Sequence, residues 1–529
     1  MFPLLFGLFL GLAILKFGNP VILDAKVSAP RDLAEAWAEA WPPHWGFWFL
    51  VPLTLVGLCL AITGQPRWPG SRWLWILPLG WFGWQLVSAT QTVDGVLTTL
   101  TLLHLGGCVA CYFLGAWLLG DRQRFRWLLI GLLMAFVFCL MRATEQKIFE
   151  FPQERQMMID GERAGWTNFA PEIFLQMKTD GMIITTNGMD VANPLLLTKY
   201  GKPPRSEQNG FMKLLYEIRI IPPRVFGTLV YPNALAGLLL LLWPVTFALA
   251  VTGTRRFRQV TRVAAIALTL FLGLGSLFWT GSKSGWLIGV ALLAVCLFRL
   301  KWSARWKWGA LILLMVVGLT AFGVRFQKYF AAGATSVSAR FDYWHAAAQN
   351  TREHPLFGSG PGTFQRPYAL LKRPESEMAR LTHNDYLEQF SDSGIIGGVS
   401  YTAWICLLLW TLLRRVWRGA DIICFALAIG LLGWFLQGVS EFGLYVPALA
   451  WVAFALAGCL LKLAPIIPTD QDFPDYSKIA GWIGAGIGII VALANGGGII
   501  QTGENSALGG LIGAIVGWLI GGLIRKFKK

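Results

Sequence analysis

Long apolar runs and short basic connections alternate along almost the whole chain, and that alternation leaves few folds open. A helix needs about 20 apolar residues to cross about 30 Å of hydrocarbon. Runs near that length occur at 3–22, 46–63, 73–89, 98–120, 127–143, 225–252, 263–280, 285–299, 309–326, 394–413, 420–439 and 446–463. Two glycine-rich runs follow at 479–496 and 507–524. Every second connection is basic and nearly free of acid. The sets are Arg67 and Arg72; Arg122, Arg124 and Arg126; Arg255, Arg256, Arg258 and Arg262; Arg299, Lys301, Arg305 and Lys307; Arg414, Arg415 and Arg418; and Arg525, Lys526, Lys528 and Lys529. Lys and Arg collect in short cytoplasmic loops, so this register predicts both termini in the cytoplasm. The first run has no small-residue cleavage site after Met1–Leu15 and is expected to stay as an anchor.

Composition agrees. Only 14% of the 529 residues are charged and 55% are hydrophobic, with a mean hydropathy of +0.54. Soluble domains carry about 25% charge, so a large soluble enzyme, a disordered chain and a nucleic-acid binder working in bulk water are excluded. The net charge of +16 reads as membrane topology rather than as a polyanion site. All eight cysteines fall in apolar runs, which rules out a disulfide framework in the loops. Cys108 and Cys111 have C-x-x-C spacing inside a span and read as buried thiols. The expected fold is an all-α polytopic membrane helical bundle, with about twelve core transmembrane helices and a glycine-rich C-terminal hairpin. In the tail Gly509, Gly513, Gly517 and Gly521 recur every four residues, a spacing that lets helix backbones approach closely in lipid.

The connections opposite the basic ones differ in kind. Two are long, 144–222 and 327–393, with mixed charge and turn signals such as "GKPPRSEQNG" and "FGSGPGTF". The chain therefore divides into N-terminal transmembrane helices (1–143), a long outer loop (144–222), central helices (223–326), a second long outer loop (327–393), further helices (394–465) and the membrane hairpin (470–529). Long loops on a rigid scaffold often carry function. Trp68, Trp73, Trp302, Trp306 and Trp308 near span ends read as an interfacial belt.

Five histidines are present. His104 is mid-span and reads as a satisfied core imidazole; His44 reads as interfacial. His345, His354 and His383 share the second long loop, but their spacings fit no zinc-ligand pattern. His383 stands in "LTHNDYLEQFSDSGIIGG" just before a span, where a helix starting there puts Asn384 and Glu388 on one face. Histidine is the side chain suited to general-base work near neutral pH. Arg224 in "IPPRVFGTLVYPNALAG" and Arg340 in "VSARFDYWHAAAQNTREHPLFGSGPGTF" lie near predicted span ends. Guanidinium groups there suit phosphate oxygens; the plainer reading is a span-end anchor or a pair with Asp342 or Glu217. Lys283 is the lone charge in "TGSKSGWLIG", either a phosphate contact or a snorkelling side chain.

Together these blocks resemble a known family. From His383 the chain reads H-N, nine residues, then G-x-x-G-G ending at Gly394, Gly397 and Gly398. This is similar to the signature of the O-antigen ligase / O-antigen polymerase superfamily of bacterial inner-membrane proteins. The blocks around Arg224, Lys283 and Arg340 are similar to it in the same order, over roughly 220–465. Lys283 departs from the family, whose members usually show Ser-Arg there.

The resemblance implies a GT-C-like glycosyltransferase. Such an enzyme moves a glycan from a polyprenyl diphosphate to an acceptor hydroxyl on the periplasmic face, with no cofactor and, in the ligases, no metal. The acceptor would be lipid A–core sugar, another repeat unit or a protein hydroxyl, and no nucleic acid is involved. By position, His383 would take the acceptor proton. Arg224 and Arg340, with Lys283, would hold the donor diphosphate, and Asn384, Glu388, Gly394 and Gly397 would support them. Two other readings remain: a small-solute transporter for inorganic carbon, and a non-catalytic assembly subunit. A transporter should place ionisable residues near the bilayer midplane, whereas the charges here concentrate at span ends.

Overall fold

The computed structural model of the chain describes residues 1–64, 68–154, 156, 183–186, 189–192, 224–331, 335–374, 376–419 and 421–464. Most of the first long loop, with Glu217, and the entire glycine-rich hairpin lie outside the described residues.

Fifteen α-helices of that region matter here: α1 (Phe2–Lys16), α2 (Leu33–Ala38), α3 (Trp45–Gly64), α4 (Trp73–Ser88), α5 (Gly95–Leu114), α6 (Arg122–Glu145), α7 (Pro232–Gly253), α8 (Gln259–Thr280), α9 (Lys283–Arg299), α10 (Ala304–Ala331), α11 (Thr335–Glu353), α12 (Gln365–Leu371), α13 (Asp385–Trp417), α14 (Ile422–Gln437) and α15 (Pro447–Leu463). Twelve of these, all but α2, α11 and α12, match the apolar runs one for one. Among the described residues, seven helices are at least 18 residues long and apolar enough to cross a bilayer. The protein is a multi-pass, all-α membrane bundle. One short antiparallel hairpin, β1 (Ile183–Thr186) with β2 (Met189–Ala192), pairs Ile183 with Ala192 and Thr186 with Met189.

The helix starts follow from single residues. Asp94, Asp121, Ser282, Asn384 and Asp421 each accept a hydrogen bond from a free backbone N–H of the first turn, and Pro232 and Pro447 open α7 and α15. Side-chain caps and first-turn prolines satisfy or remove the orphan donors of a helix start. Helix α15 is buried on every side from Pro447 to Leu461 and packs against α5, α1 and α14. An all-apolar helix surface belongs in such a central place. Helix α10 lies at the rim, packed on α9 and otherwise almost bare.

Two runs end differently from the sequence reading. Helix α1 stops at Lys16, not at 22, and a 3₁₀ segment Val21–Lys26 follows. The run at 394–413 is the later part of α13, which starts at Asp385 and bends at Ser393 and Gly394. Gly394 has φ 67° and ψ −170°, a conformation open essentially to glycine alone. A Cβ there would stand 2.2 Å from the Leu356 carbonyl oxygen. The bend divides a polar segment, 385–392, from the apolar span. It is clamped by the "HPLFGSGPGTF" loop: Ser359 N–H donates to Ser391 O (3.1 Å), Gly360 N–H to Asp392 O (2.8 Å) and Ile395 N–H to Pro355 O (2.8 Å). The Asp392 carboxylate accepts from Gly362 N–H (2.7 Å) and the Tyr445 hydroxyl (3.0 Å).

Candidate functional site

His383 is held by a turn just ahead of α13. The Asn384 side chain caps the helix, accepting from Tyr386 and Leu387 N–H at 3.0 Å each. Glu388, buried to 1% exposure, turns its carboxylate back to Thr382 N–H at 2.6 Å. The Thr382 carbonyl accepts from Trp344 Nε1 of α11 at 3.1 Å. Pinned on both sides, His383 takes φ 54°, the one positive φ among the described non-glycine residues. Left-handed backbone costs a side-chain-bearing residue about 1–2 kcal/mol, and such strain persists only where the surroundings overdetermine it.

The imidazole ring lies 4.6 Å, edge-on, from Phe442 and 5.9 Å from the Tyr343 ring, centroid to centroid. Its Nδ1 stands 3.4 Å from Glu441 Oε2. The opposite ring nitrogen therefore points away from that carboxylate. The His383 side chain is 31% exposed and Glu441 only 5%.

Glu441 is the hub. Its Oε1 accepts from Arg340 Nη2 and from Asn233 Nδ2, the latter at 2.7 Å. Asn233 Oδ1 accepts in turn from Arg224 Nη2 at 2.6 Å, and Arg224 Nε donates to the Thr280 carbonyl at 2.5 Å. Arg340 and Tyr343, one helical turn apart on α11, both reach this centre. Lys283 lies beside it, at the mouth of α9 ahead of the apolar stretch 285–299, with Nζ 3.7 Å from the Tyr329 ring centroid. Burial, then the neighbouring Arg224 and Arg340, push its ammonium down to about 8 from the ordinary 10.5; Glu441 opposes and Arg325 adds to the effect. Several cations thus share one carboxylate, which leaves positive charge for an incoming anion.

The loop that carries Glu441 is fixed by the helix that carries His383. Asp385 N–H donates to Gly438 O at 2.7 Å, and both Asp385 carboxylate oxygens accept from Leu444 N–H at 3.1 Å. Gln437 Nε2 donates to the Asn233 carbonyl at 2.9 Å. The structure brings His383, Arg340, Arg224 and Lys283 to one end of the bundle, with Asn384 and Glu388 in the supporting turn. Gly394 and Gly397 shape the bend beneath; a Cβ at Gly397 would meet the Ser393 Cβ at 2.4 Å.

Sequence reading missed Glu441, Asn233 and Arg325. It offered Asp342 or Glu217 as the partner of an arginine, but Arg340 pairs with Glu441, and the Asp342 carboxylate accepts from the Ser376 hydroxyl at 2.8 Å. A lone acid between two apolar runs, in "GVSEFGLY", was the available signal. His104 is fully buried and donates from Nε2 to the Leu444 carbonyl at 2.7 Å. His44 pairs with Asp24 at 2.9 Å. Among the described residues no group of three or more His, Cys, Asp or Glu side chains gathers in a metal-holding arrangement.

An uncharacterized protein of Haemophilus influenzae is 28% identical over 146 residues, which is 23% of this chain and 36% of that protein. The chain thus spans about a third of the length of that relative. Residues 268–402 match the family model for O-antigen ligase. That stretch holds Lys283, Arg340, His383, Asn384, Glu388, Gly394 and Gly397, while Arg224 and Glu441 flank it. Residues 268–402, about a quarter of the chain, are thus similar to the O-antigen ligase family.

Proposed function

We propose that this protein is a membrane glycosyltransferase of the O-antigen ligase kind. It moves a glycan from a polyprenyl diphosphate to an acceptor hydroxyl at the periplasmic face of a bacterial inner membrane. One observation carries the reading: an imidazole and two guanidinium groups, from segments far apart in sequence, meet round a single buried carboxylate at one end of the bundle.

In this reading Arg224, Arg340 and Lys283 hold the diphosphate, and His383 takes the proton of the acceptor hydroxyl through the ring nitrogen turned away from Glu441. The acceptor oxygen bonds to the anomeric carbon. The bond from that carbon to the diphosphate oxygen breaks, and its electron pair leaves with the diphosphate. The leaving group is already good, so positioning, charge stabilisation and one base are what the site must supply. The loop 327–393 is then the catalytic segment, the basic connections face the cytoplasm, and both termini lie on that side.

The test is His383→Ala in a strain lacking the native protein. A general base contributes about 10²–10⁴-fold, so glycan transfer is expected to fall at least a hundredfold while the variant still inserts and elutes as a single species. Normal glycan product from that variant rejects the reading. The deletion strain also reports the acceptor. Surface polymer lost from its lipid anchor marks ligation, and a single repeat unit in place of long chains marks polymerisation.

A further inference from the structure

We infer that Glu441 is a positioning residue whose carboxylate is exchanged between Arg340 and His383, so that binding of a diphosphate prepares the histidine for proton transfer. The inference rests on the glycosyltransferase reading and adds to it a residue outside the matched domain.

Three observations support it. First, Glu441 is almost wholly buried, so its charge must be met by protein groups and not by water; a buried charge without a partner is costly. Second, the two oxygens face different partners: Oε1 meets Arg340 and Asn233, and Oε2 faces His383 Nδ1 at 3.4 Å. That second contact is looser than a good hydrogen bond, so the resting carboxylate is committed to Arg340. Third, Arg340 is 19% exposed at the site while Glu441 lies beneath it, so an anion entering the cluster reaches Arg340 first.

A diphosphate ester carries more charge than a carboxylate and offers oxygens for bidentate pairing with a guanidinium. It therefore competes for Arg340. Once Arg340 turns to the diphosphate, Glu441 keeps Asn233 but loses its compensating charge. Arg224 and Lys283 also turn to the diphosphate in this reading, so the group placed to restore it is His383, whose Nδ1 already faces Oε2 and which becomes cationic when it takes the acceptor proton. Donor binding and base action are thereby linked through one side chain. Phe442, the next residue, holds the imidazole by its edge and stacks on Tyr231 at 5.0 Å, which keeps the ring facing Glu441 throughout.

The exchange makes a signed prediction. In Glu441→Gln the amide does not hold Arg340 as a carboxylate does, so the purified full chain should bind undecaprenyl diphosphate about three- to tenfold more tightly than wild type. The same variant loses the charge facing the imidazolium, so glycan transfer in a complemented deletion strain should fall about a hundredfold or more. Glu441→Asp keeps the charge and should recover transfer to within about tenfold of wild type. A purely structural role moves binding and transfer down together. Binding of undecaprenyl diphosphate by Glu441→Gln that is equal to or weaker than wild type overturns the exchange. Wild-type transfer by Glu441→Gln overturns the link to His383. If Glu441→Gln does not elute as a single species, Glu441→Asp decides: transfer within about tenfold of wild type supports the exchange, and transfer as low as that of His383→Ala overturns it. Arg340→Ala and His383→Ala are measured alongside. Should those two retain transfer, the site assigned to the proposed reaction fails; should they lose it while Glu441→Gln does not, only the present inference fails.

Discussion

His383 pairs an unfavourable backbone with a side chain held between Glu441 and Phe442. The turn Thr382–Asn384 is locked by Glu388, Trp344 and the helix cap, and the histidine bears a left-handed φ as a consequence. That geometry has a measurable signature. Ala and Gly at 383 lose the same imidazole contacts but differ in tolerance of positive φ. His383→Gly should therefore be more stable than His383→Ala by about 1 kcal/mol, the reverse of their order in a helix. Chemical denaturation in detergent measures the difference, and an alanine variant more stable than the glycine variant would show that the turn relaxes once the ring is gone.

At the scale of elements, the bend in α13 decides where the site stands. A straight helix from 385 to 417 would carry residues 385–392 along the axis of the span. The bend at Gly394 instead sets that segment off from the span, and the Gly358–Gly362 loop and α11 meet it there. Gly394→Ala adds a Cβ against the Leu356 carbonyl and forces a conformation alanine does not adopt. It should destabilise the protein by about 1–3 kcal/mol from backbone strain alone and reduce transfer with no change at any residue of the cluster. A melting temperature equal to wild type would mean that the bend is not required. The glycines of the H-N-x₉-G-x-x-G-G signature thus have a mechanical reading: they hold the histidine turn at a fixed angle to the span. Twelve apolar helices, their order and the breaks around Arg224 were legible in hydropathy and proline placement. The bend was not, because a glycine inside an apolar run also fits a close helix contact, and only the neighbouring carbonyl of Leu356 distinguishes the two.

For the whole molecule, the argument is one of sides. The cluster of His383, Arg224, Arg340 and Lys283 lies at one end of the bundle. The basic connections, such as Arg414, Arg415 and Arg418, flank the far ends of the same helices. A reporter enzyme active only outside the cytoplasm should work when fused after Glu353 and be silent when fused after Arg418. The opposite pattern would put the cluster in the cytoplasm, away from a lipid-linked glycan displayed on the periplasmic face. Apart from topology, the bundle acts as a frame: α15 fills its centre, and Asp385 ties the start of α13 to the loop after α14 through Gly438 and Leu444. Two halves of the site separated by a full helical hairpin are thus held in register.

The residues alone determined the multi-pass membrane class, the places of the apolar helices, and the identity of His383, Arg224, Arg340 and Lys283 as groups to watch. Hydropathy and charge act locally and add along a chain, and the blocks that carry these four residues are short and contiguous. The tertiary structure decided which acid meets them. Glu441 is 58 residues from His383, 101 from Arg340 and 208 from Asn233. No periodicity links positions so far apart. Their meeting depends on how α7, α11, α13 and the loop between α14 and α15 pack, and a buried carboxylate is stable only where that packing delivers its partners.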